Sequence, residues 1–170
     1  MKLYVIPQGY ADAACLVYAI LNSLKTFLAP DQTTLTFFRE HRASQKLEKV
    51  LAIAPSPLQF LGGDVVMELP QPIEQEAIHN FVGLAFRVFN TRQHRFSVER
   101  ITLSQLRRKR DYTRTVVLFQ ISNADTLCGT IKNHWVCAVD RSEVLLLACS
   151  CALYWCDDYL RVLKQSLNTE

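Results

Sequence analysis

The chain is 170 residues long, carries a net charge of +3 and is 49% hydrophobic. These values exclude a disordered chain, and the charge is too small to indicate a nucleic-acid-binding protein. They suit a single globular domain spanning residues 1–170. No apolar run reaches the roughly 18 residues of a membrane span, and the N-terminal MKLYVIPQGY lacks the form of a secretory signal. We therefore expect a cytoplasmic protein, although export by a dedicated machine leaves no such trace.

The cysteines are expected to be thiols, because a chain without a secretory signal is kept in a reducing compartment. Their spacing contains no Cys-x-x-Cys pair and does not match a zinc site, so we predict neither a metal nor another cofactor. The six residues are Cys15, Cys128, Cys137, Cys149, Cys151 and Cys156.

The segment Gln8–Leu28 is predicted to hold a helix around which the domain is built. Asp12 is a favourable N-cap, which puts Cys15 in the first turn. Every residue from Ala13 to Leu21 is apolar or aromatic. A helix that is apolar all round is buried, so we expect it to run through the middle of the domain. The first positions suggesting a solvent-facing side are Asn22, Ser23 and Lys25.

The rest of the first half is predicted to be helical, after a short N-terminal strand over Lys2–Ile6 that Pro7 ends. Helical spacing and flanking prolines indicate three helices, over Thr33–Arg42, Ala43–Ala54 and Pro72–Asn90. In the first two of these helices, the residues expected on the buried side are Leu35, Phe38, Leu47, Val50 and Leu51.

The second half reads mainly as strands. Apolar runs predict strands over Thr115–Ser122, His134–Asp140 and Val144–Cys149, of which the last two form a hairpin. Asn123–Asn133 is expected to be a loop and Leu103–Arg110 a short helix. Tyr154–Leu167 fits a strand or a helix equally well.

Together these elements predict an α+β fold, with a helical lobe over about residues 9–92 and a mostly antiparallel sheet lobe over about 93–168. The N-terminal strand is expected to join the sheet lobe. A groove between two such lobes is a natural ligand site.

Three residues have the chemistry of a thiol-dependent hydrolase. The N-terminus of a helix, with its partial positive charge and free N–H groups, favours the nucleophilic thiolate of Cys15. His134 opens a predicted strand, from which its ring can project into the groove as a general base. Gln8 and the backbone N–H of Cys15 can donate to a developing oxyanion.

In this order the residues resemble the papain-like cysteine peptidases, most closely the bacteriocin-leader-processing group. The resemblance is carried by Gln8, by Cys15 at the start of a buried helix, by LSQLRRKRDYTRTVVLFQIS and by His134-Trp135-Val136. The elements follow the family order over nearly the whole chain. The resemblance implies a papain-like fold, a peptide or protein substrate, and catalysis by Cys15 and His134 with Gln8 as oxyanion donor.

The chain departs from the family pattern at the residue that orients the histidine. Ser150 stands sixteen residues after His134, where the family places Asp or Asn. A serine can accept a hydrogen bond from the imidazole but brings no charge. Asp157 and Asp158 are alternatives if the chain folds back, whereas Asp140 lies about 20 Å along the same strand. The spacing from Gln8 to Cys15 is also one residue longer than usual.

Two further functions remain open beside peptide or amide hydrolysis. Acyl transfer or deamidation would use the same residues. A binding module that has kept the fold without turnover would explain the missing Asp or Asn. The basic cluster Arg107–Arg110 is better explained as the end of a surface helix than as a nucleic-acid contact.

Overall fold

A computed structural model describes residues 6, 14–53, 71–102, 105, 116–126, 129–141 and 144–148. In chain order its helices are α1 (Cys15–Leu28), α2 (Thr34–Glu40), α3 (Ala43–Ile53) and α4 (Gln71–Val88). They are followed by the strands β1 (Val116–Thr126), β2 (Gly129–Arg141) and β3 (Val144–Ala148). Helices therefore come first and a sheet second, so the predicted α+β class is confirmed at this level.

Helix α1 forms the centre of the packed core. Its residues Leu16, Val17, Ile20, Leu21 and Leu24 are all at most 4% exposed. The helix contacts α4 and all three strands. The prediction of a helix buried on all sides is therefore confirmed.

The predicted solvent-facing side of α1 is wrong. Asn22, Ser23 and Lys25 are each at most 2% exposed. Their polar groups are satisfied inside the protein: the Ser23 hydroxyl donates to the Ala19 carbonyl at 2.8 Å, and the Lys25 Nζ donates to the Ala29 carbonyl at 3.5 Å. Buried polar groups need such partners, and here the helix's own backbone supplies two of them.

Helices α2 and α3 match their predicted ranges within about two residues. Thr33 caps α2, since its Oγ1 accepts from the Thr36 backbone N–H at 3.3 Å. The buried side of α2 differs from the prediction, because Leu35 is 78% exposed and Phe37 is fully buried. In a helix of seven residues, a few apolar positions do not define a face. Helix α2 packs on α3, and Phe37 rather than Leu35 belongs to the buried core.

Helix α4 confirms the element predicted over 72–90 and packs against α3 and α1. Its C-terminal half and the residue that follows it supply a large part of the core. Those residues are at most 7% exposed and are Phe81, Val82, Ala85, Phe86 and Phe89.

The segment after α4 runs along the helices without forming a helix or strand through residue 102. Phe96 anchors it, with its ring centroid 5.5 Å from those of both Phe27 and Phe86. The helix predicted over Leu103–Arg110 falls outside the described residues, apart from Gln105.

The three strands form one antiparallel sheet in the order β1-β2-β3. The hairpin predicted for the last two strands is confirmed, with Asp140 paired to Leu145. The loop predicted over Asn123–Asn133 is wrong, because pairing continues from Asn123↔Lys132 to Thr126↔Gly129. The polar residues of this stretch suggested a loop, but an antiparallel ladder bonds through the backbone and accepts them.

No helix in the described part of the chain combines the length and the apolar character required to cross a membrane. The strand predicted over Lys2–Ile6 lies outside the described residues except for Ile6. All of Tyr154–Leu167, predicted as a strand or a helix, also lies outside the described residues.

Candidate active site

Cys15 is the first residue of α1 and is 5% exposed. The predicted N-cap, Asp12, is wrong: the helix begins later and its N-cap is Ala14. Alanine has no side chain that can accept from the first-turn N–H groups, and no side-chain cap is formed. Cys15 therefore lies closer to the end of the helix than the sequence predicted.

The N-termini of α1 and α2 differ in their capping. Helix α2 is closed by the Thr33 side chain, whereas Ala14 leaves α1 without a side-chain cap. The first turn of α1 also contains no acidic residue. Neither Ala14 nor the first turn of α1 therefore carries a side chain that offsets the partial positive charge of the helix N-terminus, where Cys15 lies.

His134 lies within β2 and pairs with Ile121 of β1. The prediction that it opens a strand after a loop is wrong, because β2 begins at Gly129. Antiparallel pairing on the β1 side holds the backbone on both sides of this residue. The sheet therefore sets the backbone position of His134.

Helix α1 packs directly on β2, so the elements that carry Cys15 and His134 are in contact. Just after His134, the strand is fully covered: Val136 and Cys137 are each 0% exposed and Ala138 is 2% exposed. Trp135 is half-buried and packs on the helical core. Consecutive strand residues face opposite sides, so both faces of β2 are covered here.

An asparagine that the sequence analysis assigned to the surface joins the N-terminal segment to α1. The Asn22 Oδ1 accepts from the Ile6 backbone N–H at 2.7 Å, and the Asn22 Nδ2 donates to the Ile6 carbonyl at 3.2 Å. Ile6 is itself 2% exposed. This double hydrogen bond, here called the Asn22 clamp, fixes the chain two residues before Gln8. The only signal in the sequence was a polar pair, Asn22 and Ser23, after an apolar run.

Burial also changes the charge behaviour of one residue of α1. Desolvation lowers the pKa of Lys25, and the nearby Asp31 carboxylate opposes part of that shift. The desolvation depends on the elements that pack against α1, which come from distant parts of the chain.

The other predicted site residues lie outside the described part of the chain. These are Gln8, Ser150, Asp157 and Asp158. Asp140 is described and continues the strand that holds His134, six residues further on. At about 3.3 Å per residue this separates the two by roughly 20 Å, so Asp140 does not orient His134.

Both cysteines within the described residues, Cys15 and Cys137, are buried thiols. No group of three histidine, cysteine or acidic side chains is arranged to hold a metal ion in that same part of the chain. In comparisons with known proteins, no family model, curated protein or solved structure matches this chain. Its chemistry is therefore inferred from its own residues.

Proposed function

We propose that this protein is a thiol-dependent hydrolase of papain-like architecture that cleaves a peptide or other amide bond. The observation that carries the proposal is the placement of Cys15 at the uncapped start of α1, with α1 packed on the strand that contains His134. Covalent catalysis by a thiol needs a base within hydrogen-bond reach of the sulfur, and two elements in contact are able to bring the pair together.

In the proposed reaction, His134 takes the proton of Cys15 and the sulfur attacks the carbonyl carbon of the substrate. The oxyanion that forms accepts hydrogen bonds from Gln8 and the Cys15 backbone N–H. His134 then gives the proton to the leaving amine as the C–N bond breaks and a thioester remains. Water, deprotonated by His134, attacks the thioester. The C–S bond then breaks, the acid leaves, and His134 returns the proton to the Cys15 sulfur. Ser150, or an aspartate of the 157–158 pair, orients the imidazole.

The Asn22 clamp sets a distance that the proposed role of Gln8 must meet. Asn22 and Cys15 are seven residues apart on α1, which is about 10 Å along the helix. Ile6 is bonded to Asn22, and Gln8 follows it by two residues, within about 7 Å of extended chain. Two extended residues therefore fall short of the distance back to Cys15, and the proposed oxyanion role requires the Gln8 side chain to span the remainder.

One specific observation favours a second function, a binding module of the same fold without turnover. Ser150 occupies the position where the resembled family has Asp or Asn, and serine supplies no negative charge to stabilise an imidazolium. On this alternative, Cys15→Ala leaves the biological effect intact, whereas the hydrolase requires its loss.

The activation of Cys15 is tested by alkylation with iodoacetamide at pH 7, read for each cysteine by mass spectrometry. An ordinary thiol is about 3% ionised at this pH, so full activation raises the rate by at most about thirty-fold. Cys137 is the matched control, because it is also a buried thiol but lies inside a strand. We expect Cys15 to react on the order of ten-fold faster than Cys137.

Because two buried thiols can differ in access, a second comparison keeps the cysteine the same. His134→Gln is expected to slow alkylation of Cys15, while His79→Gln on α4 leaves it unchanged. Equal rates in the wild type and both variants, with folding intact by circular dichroism, would show that no Cys15–His134 dyad exists.

A further inference from the structure

A group of basic side chains gathers where α2, α3 and the turn after α4 meet. It consists of His41, Arg42, Lys46, Lys49 and His94 and is here called the basic patch. Lys46 and Lys49 lie one turn apart on the same side of α3, and Arg42 immediately precedes that helix. They span about 10 Å along the axis, at 1.5 Å per residue.

The chain holds these groups together although their charges repel. The Lys46 Nζ lies 4.6 Å from the ring centroid of Phe89, and the His41 ring lies 5.3 Å from that of Phe37. The Lys46 ammonium and the His41 imidazole therefore each contact a buried aromatic ring. These contacts place both side chains at the patch.

Backbone contacts place the other members. Arg42 has a φ of 50°, a conformation that L-residues rarely adopt, and its carbonyl accepts the Lys46 N–H at 3.1 Å as α3 begins. Thr91 closes the turn that carries His94: its Oγ1 accepts from the His94 N–H at 3.0 Å, and its own N–H donates to the His94 carbonyl at 2.8 Å.

The neighbouring positive charges affect the pKa values of Lys46 and His41. Desolvation and the neighbouring positive charges of Arg42 and Lys49 lower the pKa of Lys46. Desolvation, followed by the charge of Lys46, lowers the pKa of His41; Glu40 opposes this shift and His94 adds to it. Like charges within a few ångströms disfavour each other's charged forms, and a bound anion would reverse the effect.

The acids near the patch do not neutralise it. Glu40 accepts a hydrogen bond from the Gln32 Nε2 at 2.7 Å and lies 3.8 Å from Arg39. Glu48 belongs to α3 but stands at least about 100° around the helix from the face of Lys46 and Lys49. Within the described part of the chain, the patch therefore presents net positive charge.

We propose that the basic patch is a docking surface for an acidic polypeptide segment carrying two or three carboxylates along about 10 Å. That length corresponds to about three residues of extended chain. Duplex nucleic acid is disfavoured, because its binding commonly uses about six to ten phosphate contacts over a wider basic face. The proposal is independent of the thiol chemistry at Cys15.

The probe is a fluorescein-labelled hexaglutamate peptide, with hexaglutamine as the uncharged control, measured by fluorescence anisotropy on the full chain. We expect binding of hexaglutamate only, weakened as salt rises from 50 to 500 mM because exposed charges are screened. Binding of hexaglutamine with equal affinity, or tighter binding of a duplex oligonucleotide at equal charge concentration, would overturn the assignment.

The variants are chosen so that folding is preserved. Lys49→Gln removes an exposed charge, and Arg42→Gly removes another at a position whose positive φ favours glycine. Each is expected to weaken binding roughly two- to five-fold, and the double variant on the order of ten-fold. Arg100→Gln is the charge-matched control, since Arg100 is exposed and bonds Gln75 outside the patch. Equal losses in the control and the patch variants would contradict the proposal.

Nuclear magnetic resonance adds a readout that non-specific attraction would not give. Hexaglutamate bound at the patch raises the pKa of His41 towards its ordinary value, because carboxylates offset the charge of Lys46. The ring signals of His79, on α4, serve as the internal control and are expected to keep their chemical shifts when the peptide is added. Absence of any shift at His41 under saturating peptide would place the binding elsewhere.

Discussion

Replacing Asn22 by alanine is expected to destabilise the protein by about 3 kcal/mol. The Asn22 side chain satisfies both backbone groups of Ile6, at 2.7 and 3.2 Å, and both residues are 2% exposed. The truncation leaves a buried N–H and a buried carbonyl without this partner. Each such group costs about 1–3 kcal/mol, so the sum falls in the range of about 2–5 kcal/mol once partial relaxation is allowed.

Urea denaturation followed by circular dichroism measures this loss, and thermal unfolding gives a second reading. For a chain of this size, 1 kcal/mol shifts the melting temperature by about 2–4 °C, so a decrease of roughly 6–12 °C is expected. Amide hydrogen exchange should show lost protection at Ile6 in particular, because its N–H no longer has the Asn22 acceptor.

Asn90→Ala is the matched control for this prediction. The Asn90 Oδ1 also accepts from a backbone N–H, that of Phe96 at 2.8 Å, but this bond is exposed to water. Its loss is expected to cost at most about 1 kcal/mol, since water replaces the partner. If the two variants lose the same stability within about 0.5 kcal/mol, the Asn22 clamp does not hold the N-terminal segment as described.

Two further predictions concern burial. Burial lowers the pKa of Lys25 in the folded state, so between the lowered pKa and the ordinary lysine pKa near 10.4 the unfolded chain binds more protons than the folded chain. The free energy of unfolding should therefore rise with pH in this window. Urea denaturation at a series of pH values measures the rise, and Lys25→Met should flatten it. Phe37→Ala should cost about 3–5 kcal/mol by the same measurement, whereas Leu35→Lys, at a position 78% exposed, should change stability by less than about 0.5 kcal/mol. A steeper rise in the Lys25 variant, or similar losses at positions 35 and 37, would contradict these assignments.

Part of the candidate site could be predicted from sequence. Cys15 was expected near a helix N-terminus because an uninterrupted apolar run follows it, and α1 begins at that residue. The strand that holds His134 was predicted from its β-branched and aromatic neighbours, but its start was placed too late. The polar residues before His134 have no hydrophobic alternation, and only pairing with β1 shows that they continue the strand.

The roles of Cys15, His134, Gln8 and Ser150 stay predictions. A site formed by residues far apart in the chain depends on relative positions that local patterns do not encode. Helix α1, which begins with Cys15, packs on β2, which contains His134. Because these two elements are in contact, the alkylation experiment tests whether the two side chains interact.

The sequence by itself determined the central apolar helix, the three helices that follow and the strands of the sheet, because periodicity and proline positions act over a few neighbouring residues. The tertiary structure alone decided which surfaces are covered. It buried Asn22 and Lys25 on a helix whose polar residues suggested exposure, and it chose Phe37 over Leu35 for the core. Burial is a property of the elements packed against a residue, and those elements are supplied by distant parts of the chain.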